Sequence, residues 1–247
     1  MKHFQDKIIW IIGATDGIGE AIIKNLDKNS NCTFILSSRS ADKLDFLASS
    51  LNNISHSIVI DVSDYESFDR GTKQALSYKP DCIIYLPAYY EPSLITDITL
   101  TDLHKTIQTN LTAVFYLIRF ILPYLKENTH CQFAVTASVA GYIGLPKSQP
   151  YAATKAGVIN LVESLKSENN NLDIKLINPS FVKTKLTDKN DFDMPMIITP
   201  DSAANEIIKG LGTKVFEIHF NKKFTRILKI ISILPYRLYF KLSKKIK

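Results

Sequence analysis

Short apolar runs recur along the chain, separated by longer stretches in which apolar positions return every three or four residues. The runs at 7–12, 33–37, 57–60, 82–86, 132–136, 173–177 and 215–218 are rich in β-branched and aromatic residues. Near-continuous apolar runs of that length predict strands covered on both faces. Between them the period lengthens to that of a helix, over 18–27, 42–51, 66–77, 102–126, 151–168 and 200–209. Thr199 and Pro200 mark the start of the last helix, and Gly210 is expected at its end. This alternation predicts right-handed βαβ crossovers and an α/β fold built on a doubly wound parallel sheet. No repeat or linker divides it, so one domain is expected over 1–220, followed by a different kind of segment at 221–247.

One helical stretch departs from the pattern. Residues 111–125 read LTAVFYLIRFILPYL, apolar nearly all round apart from Arg119 and a few hydroxyls. A helix lying on a sheet needs only one apolar stripe, so its outer side requires cover from another subunit or from neighbouring helices.

Composition narrows the class. Of 247 residues 45% are apolar and 22% charged, with nine Gly and ten Pro, which excludes disorder, collagen and low complexity. No stretch approaches the ~18 uninterrupted apolar residues of a membrane span, and the run at 8–12 is too short for a secretory signal. Cys32, Cys82 and Cys131 are odd in number and lack CxxC spacing, which argues against disulfides and zinc; they read as core residues near strand starts. His3, His56, His104, His130 and His219 show no ligand spacing, so no metal site is expected. These features predict a reduced, cytoplasmic chain.

The net charge of +6 is unevenly placed. Nine Lys or Arg and no Asp or Glu lie between 222 and 247, leaving 21 basic against 24 acidic residues in the rest. The excess positive charge therefore sits in the tail and is not spread with aromatics over a folded face, which disfavours nucleic acid as a partner. Apolar and basic residues mix through 222–241, and Pro235 is expected to break the segment into two short helices. Such a segment suits an anionic membrane surface; docking on the sheet or on a partner subunit is the competing reading.

The first strand runs into Gly13-Ala14-Thr15-Asp16-Gly17-Ile18-Gly19 and then a helix. Glycines permit positive φ and close backbone approach, and a helix start offers free N–H groups to a pyrophosphate. The spacing is G-x-x-x-G-x-G, and an ordinary tight turn is the alternative. About 20 residues on, where a carboxylate would grip ribose hydroxyls, stand Ser37, Ser38, Arg39 and Ser40. An arginine there suits a 2′-phosphate, so NADP(H) is favoured over NAD(H).

Tyr151 and Lys155 lie four apart on one helix face, and Ser138 follows the fifth strand. Together with the glycine turn this set resembles the short-chain dehydrogenase/reductase family, whose fold is of the Rossmann type. Gly13, Gly17 and Gly19, Asp61-Val62, Asn110, Ser138, Tyr151 and Lys155, and Asn178-Pro179 with Thr184 stand in family order up to about Ile218. The glycine turn and Ser38-Arg39-Ser40 look most like the NADP-dependent ketoreductases of lipid and steroid metabolism.

The resemblance implies a catalytic set of Asn110, Ser138, Tyr151 and Lys155. It implies cofactor contacts from Gly13, Thr15, Asp16, Gly17, Ile18, Gly19, Ser38, Arg39, Asp61, Val62, Ala88, Tyr151, Lys155, Pro179, Val182 and Thr184. Asp61 and Val62 would border the adenine, and Val182 and Thr184 would lie near the nicotinamide carboxamide and the pyrophosphate. Tyr151 would exchange a proton with the substrate oxygen, its pKa lowered by Lys155 and, when oxidised, by the positive nicotinamide, while Ser138 holds that oxygen. Lys155 would also bind the ribose, and Asn110 would seat a water that relays protons.

Two departures stand out. The family's usual Asn-Asn-Ala-Gly is Leu86-Pro87-Ala88-Tyr89 here, and the Thr before the first glycine is Ile12. Both ends of a polar tie are thus apolar, a change that can be nearly neutral. Pro179-Ser180 also replaces a frequent Pro-Gly.

On the substrate side the expected neighbours are Tyr89, Tyr90, Tyr142, Ile143, Leu145 and the segment from Phe192 to Ile198 with Met194 and Met196. Residues 185–199 read as a lid, and no fixed charge is expected in the pocket. A hydrophobic, lipid-derived carbonyl or alcohol follows, handled by a homo-oligomer, dimer or tetramer, at the cytoplasmic membrane face. A non-catalytic NADP(H)-binding sensor or scaffold is the second reading. Epimerase or dehydratase chemistry on nucleotide sugars is the third, disfavoured by the short C-terminal region.

Overall fold

Alternation along β1 (Ile8–Ile12) sorts the core into two layers. Ile9 and Ile11 point to one face of the sheet, with Ile22, Ile23 and Leu26 of α1 (Gly17–Asn29). Trp10 and Ile12 point to the other. The computed structural model describes residues 2–191 and 193–243. Phe192 and the last four lysine-rich tail positions, 244–247, both part of the sequence reading, lie outside them.

After β1 come β2 (Thr33–Ser38), β3 (Ser55–Val59), β4 (Cys82–Tyr85), β5 (Gln132–Thr136), β6 (Asp173–Asn178) and β7 (Glu217–His219). The described strands form one parallel sheet in the order β3-β2-β1-β4-β5-β6-β7. The order reverses between β1 and β4, and that switch opens a crevice at the strands' C-terminal ends. One face is covered by α1, α2 (Ala41–Ser49) and α7 (Pro200–Leu211), the other by α3 (Tyr65–Ser77), α5 (Ala113–Glu127) and α6 (Tyr151–Glu168). This is the doubly wound α/β fold expected. The three cysteines are buried and free.

Several boundaries need correction. β3 begins two residues early and ends before Ile60, because its polar Ser55 and His56 extend the edge strand ahead of the apolar run expected from 57. β7 starts at Glu217 rather than 215, since Val215 stays exposed. Gly210 lies inside α7 and Gly212 follows its end; a Cβ at Gly210 would meet Ile218 Cγ1 at 2.7 Å, so the glycine serves packing. The continuous helix expected over 102–126 is three pieces: α4 (Leu100–Ile107), a π-helical turn (Gln108–Thr112) and α5.

The tail forms α8 (Lys222–Ser232) and α9 (Tyr236–Ser243) on either side of Pro235. α8 is docked, with Leu228 and Ile231 packed on Val139 and Ile143. Tyr239 of α9 donates to the Gly144 carbonyl at 2.6 Å. Among the described residues no helix is long and apolar enough to cross a membrane.

Candidate active site

The turn after β1 can be built only with glycine at its key points. Gly13 has φ of +86° and packs on Leu86 and Pro87, while a Cβ at Gly19 would lie 2.1 Å from the Gly13 carbonyl oxygen. Gly17, at φ +53°, sits against Thr184. Asp16 precedes α1 without capping it and pairs instead with Lys185 at 2.8 Å. The first N–H groups of α1 have no intrahelical partner, and the helix dipole places positive potential on them. That cradle fits a dinucleotide pyrophosphate. The apolar departure at Leu86-Pro87 is compensated: Leu86 N–H donates to the Ile12 carbonyl at 3.0 Å, and Pro87 has no N–H to lose. Among the described residues the unpartnered buried side-chain polar atoms belong to Ser30, Thr72, Thr136 and Asn178, none of them in this contact.

A cleft of about 1510 Å³ runs from this turn across the strand ends. All the residues expected to touch the cofactor line it: Gly13, Thr15, Asp16, Gly17, Ile18, Gly19, Ser38, Arg39, Asp61, Val62, Ala88, Tyr151, Lys155, Pro179, Val182 and Thr184. Ser37 does not, because its hydroxyl accepts from the buried Trp10 indole at 3.0 Å. Lys43, in the first turn of α2, also lines the cleft, as Arg39 does, and was missed. Its place three residues after the Ser40 cap, in the first turn, was the available signal.

The chemistry-bearing side chains meet on the opposite wall. Ser138 follows β5 and its Oγ accepts from Ala140 N–H at 3.1 Å, aiming it beside Tyr151 at the start of α6, with which it shares a hydrogen bond. Lys155 is one turn along, its Nζ 5.7 Å from the Tyr151 ring centre and donating to the Thr136 carbonyl at 3.0 Å. Burial pushes the Lys155 amine down to about 7. Burial also pushes the Tyr151 phenol up to about 12, with the Ser138 hydrogen bond opposing. The Lys155 amine is held on the Thr136 carbonyl, and at Tyr151 burial is the leading influence, with Tyr90 raising the phenol further and Ser138 opposing.

Asn110 sits in the π-helical turn, fully buried behind the cleft wall. Its Oδ1 accepts from Tyr89 N–H at 2.7 Å, and its Nδ2 donates to the Tyr89 carbonyl at 2.8 Å and to Thr154 Oγ1 at 3.3 Å. It thereby fixes the loop that carries Tyr90. The Tyr90 ring packs edge-on against Tyr151 at 4.9 Å, and its hydroxyl donates to Asn190 at 2.7 Å.

The substrate end differs in part from expectation. Tyr89, Tyr90, Leu145 and Met194 line the cleft, whereas Ile143 is buried against α8 and Tyr142 bonds the Glu217 carboxylate. Met196 lies outside the lining, half exposed. Charge is also present: Lys147, Lys189 and Asp191 line the cleft, paired as Lys147 with Asp191 and Lys189 with Glu91. These pairs tie the 185–199 segment across the cleft. Phe224 and Leu228 of α8 complete the wall; nothing in the local sequence pattern joined the tail to the site.

A glycine cradle at the switch point, with a serine, a tyrosine and a lysine beside it, defines an oxidoreductase site for a nicotinamide dinucleotide. The chain belongs to the short chain dehydrogenase family, which it matches over residues 7–194. An uncharacterised oxidoreductase of Staphylococcus epidermidis is 26% identical over 215 residues, covering 85% of this chain and 93% of its own. A short chain dehydrogenase/reductase from Burkholderia phymatum in complex with NAD shares the fold at a TM-score of 0.82 and 19% identity, over 93% of this chain and 94% of the other. So does an alcohol dehydrogenase of the archaeon Thermococcus sibiricus complexed with 5-hydroxy-NADP, at 0.75 and 23%, over 87% and 96%. The protein is an oxidoreductase of this type.

Proposed function

We propose that the protein uses NADP(H) to interconvert a carbonyl and an alcohol on a hydrophobic small molecule. The observation that carries this reading is the convergence of Ser138, Tyr151 and Lys155 on one wall of a cleft that begins at the glycine cradle and Arg39. Arg39 and Lys43 offer two cations beside Ser38 where a 2′-phosphate would lie, and no carboxylate of β2 opposes them.

When bound, NADPH supplies a hydride. The chain's own residues handle the oxygen and its proton. Tyr151, kept protonated by burial, donates its proton to the carbonyl oxygen. The Ser138 hydroxyl donates a hydrogen bond to that oxygen as negative charge develops. Lys155 is charged below about pH 7 and then steadies the phenolate that Tyr151 becomes. Asn110 positions the Tyr89–Tyr90 loop, and a water beside it would connect Lys155 to solvent. The aromatic and aliphatic substrate wall of Tyr90, Leu145, Met194, Phe224 and Leu228 favours an apolar body over a sugar. The same reading takes the chain as a homo-oligomer joined through the outer sides of α4 and α5.

The test is NADPH oxidation against a panel of hydrophobic ketones and aldehydes, wild type beside Tyr151→Phe. Turnover is expected for the wild type and a loss of about 10²–10⁴-fold for the variant, with NADPH binding retained. Tight NADPH binding without turnover of any carbonyl or alcohol would instead support a sensor.

A further inference from the structure

α8 carries two apolar sides. The inner side sends Phe224 and Leu228 into the cleft wall and packs Leu228 and Ile231 on Val139 and Ile143, next to Ser138. Thr225 bonds His219 Nδ1 at 2.7 Å, and Lys229 pairs with Glu217, which also accepts from Tyr142 and Asn178. These ties hold the helix on the sheet edge.

The outer side is open to solvent. Ile227 is 54% exposed, Ile230 58% and Ile233 81%, and Tyr236 follows at 79%. Exposed Lys222, Lys223 and Arg226 frame this strip on α8, and Arg237 and Lys241 continue it on α9. No acidic residue lies between 222 and 247.

We propose that this outer face docks on an anionic lipid bilayer, and that an amphiphilic carbonyl or alcohol passes from the bilayer into the cleft beside α8. The second half rests on the carbonyl–alcohol reading above; the docking does not. Charge complementarity selects the occupant. A second copy of the face brings the same positive charge, whereas anionic headgroups neutralise it while the acyl boundary receives the isoleucines. Neither helix spans a membrane, so they lie in its surface plane. The helix that contacts lipid on one side is then the helix that walls the substrate end on the other.

The full chain is floated with vesicles of phosphatidylglycerol and phosphatidylcholine in equal amounts, and with phosphatidylcholine alone. The double variant Ile227→Ser/Ile230→Ser changes only exposed positions away from the cleft. Wild type is expected to float with the mixed vesicles, less with phosphatidylcholine alone, and the variant to bind about tenfold more weakly. In parallel, NADPH oxidation is read with a short water-soluble ketone and with a long-chain ketone held in the mixed vesicles. The variant is expected to match wild type on the first and to lose about tenfold on the second. Equal flotation of wild type and variant, or none by wild type, overturns the docking. Self-association abolished by the double substitution, without flotation, assigns the face to a second copy and also overturns it. Flotation as expected with neither ketone turned over upholds the docking and defeats the carbonyl–alcohol reading and the delivery step with it.

Discussion

At the scale of single residues, two buried groups are displaced towards one another's usual range. Lys155 is fully enclosed and its amine is pushed down to about 7, while Tyr151 is pushed up to about 12. The activity consequence is that kcat/KM for carbonyl reduction declines as pH rises past about 7, where Lys155 loses its charge; a profile flat from pH 6 to about 9 would contradict it. The stability consequence has a definite sign. The unfolded chain holds the Lys155 proton up to the ordinary lysine range and the folded chain releases it near 7, so this residue's destabilising effect is full below 7 and fades as pH climbs. Lys155→Met therefore abolishes turnover yet raises Tm most in acid, the gain shrinking from about pH 7 upward, as thermal melts across pH will read. Gly19 is a second such point: with 2.1 Å between an added Cβ and the Gly13 oxygen, Gly19→Ala costs about 1–3 kcal/mol in urea melts and removes NADPH binding. Tyr151, Lys155 and the glycines were legible because their roles depend on residue type and short spacing. The pKa displacement was not, since burial is contributed by distant segments.

At the scale of elements, the π-helical turn at Gln108–Thr112 matters most. One extra residue in the turn brings Asn110 inward to grip both backbone groups of Tyr89. The apolar rhythm of 111–125 runs on without a break, so the sequence reads as a single helix; the local helix period shifts without changing which residues are apolar. Asn110→Ala leaves the Tyr89 N–H and carbonyl without a side-chain partner, and a loss of about 1–3 kcal/mol in urea unfolding is expected. Since Tyr89 precedes Tyr90, which packs on Tyr151, activity should fall with it. The start of edge strand β3 was missed for a different reason: Ser55 and His56 are polar and extend the apolar run expected from 57.

At the scale of the whole molecule, the outer sides of α4 and α5 stay open. Tyr65 of α3 packs on Tyr116 and Phe120, so neighbouring helices supply part of the cover. Phe115 of α5 remains half exposed, and Leu100 and Ile107 of α4 are also exposed. Light scattering is expected to give a mass above 27.9 kDa for the wild type and a shift towards it for Phe115→Asp; a wild-type monomer would remove the proposal. The tail shows the same division between inside and outside: charge and apolar content forecast two amphipathic helices, and only the packing on Val139 and Ile143 revealed which side is inside.

The doubly wound sheet, the glycine turn and the Ser–Tyr–Lys set could be read from the sequence because each depends on local period or on residue types at short spacing. Tertiary structure alone decided that α8 walls the substrate end, that Lys147 and Lys189 meet acidic partners over the cleft, and that Ser37 serves Trp10. Those contacts join residues far apart in the chain, and local patterning carries no record of which distant surface a side chain will meet.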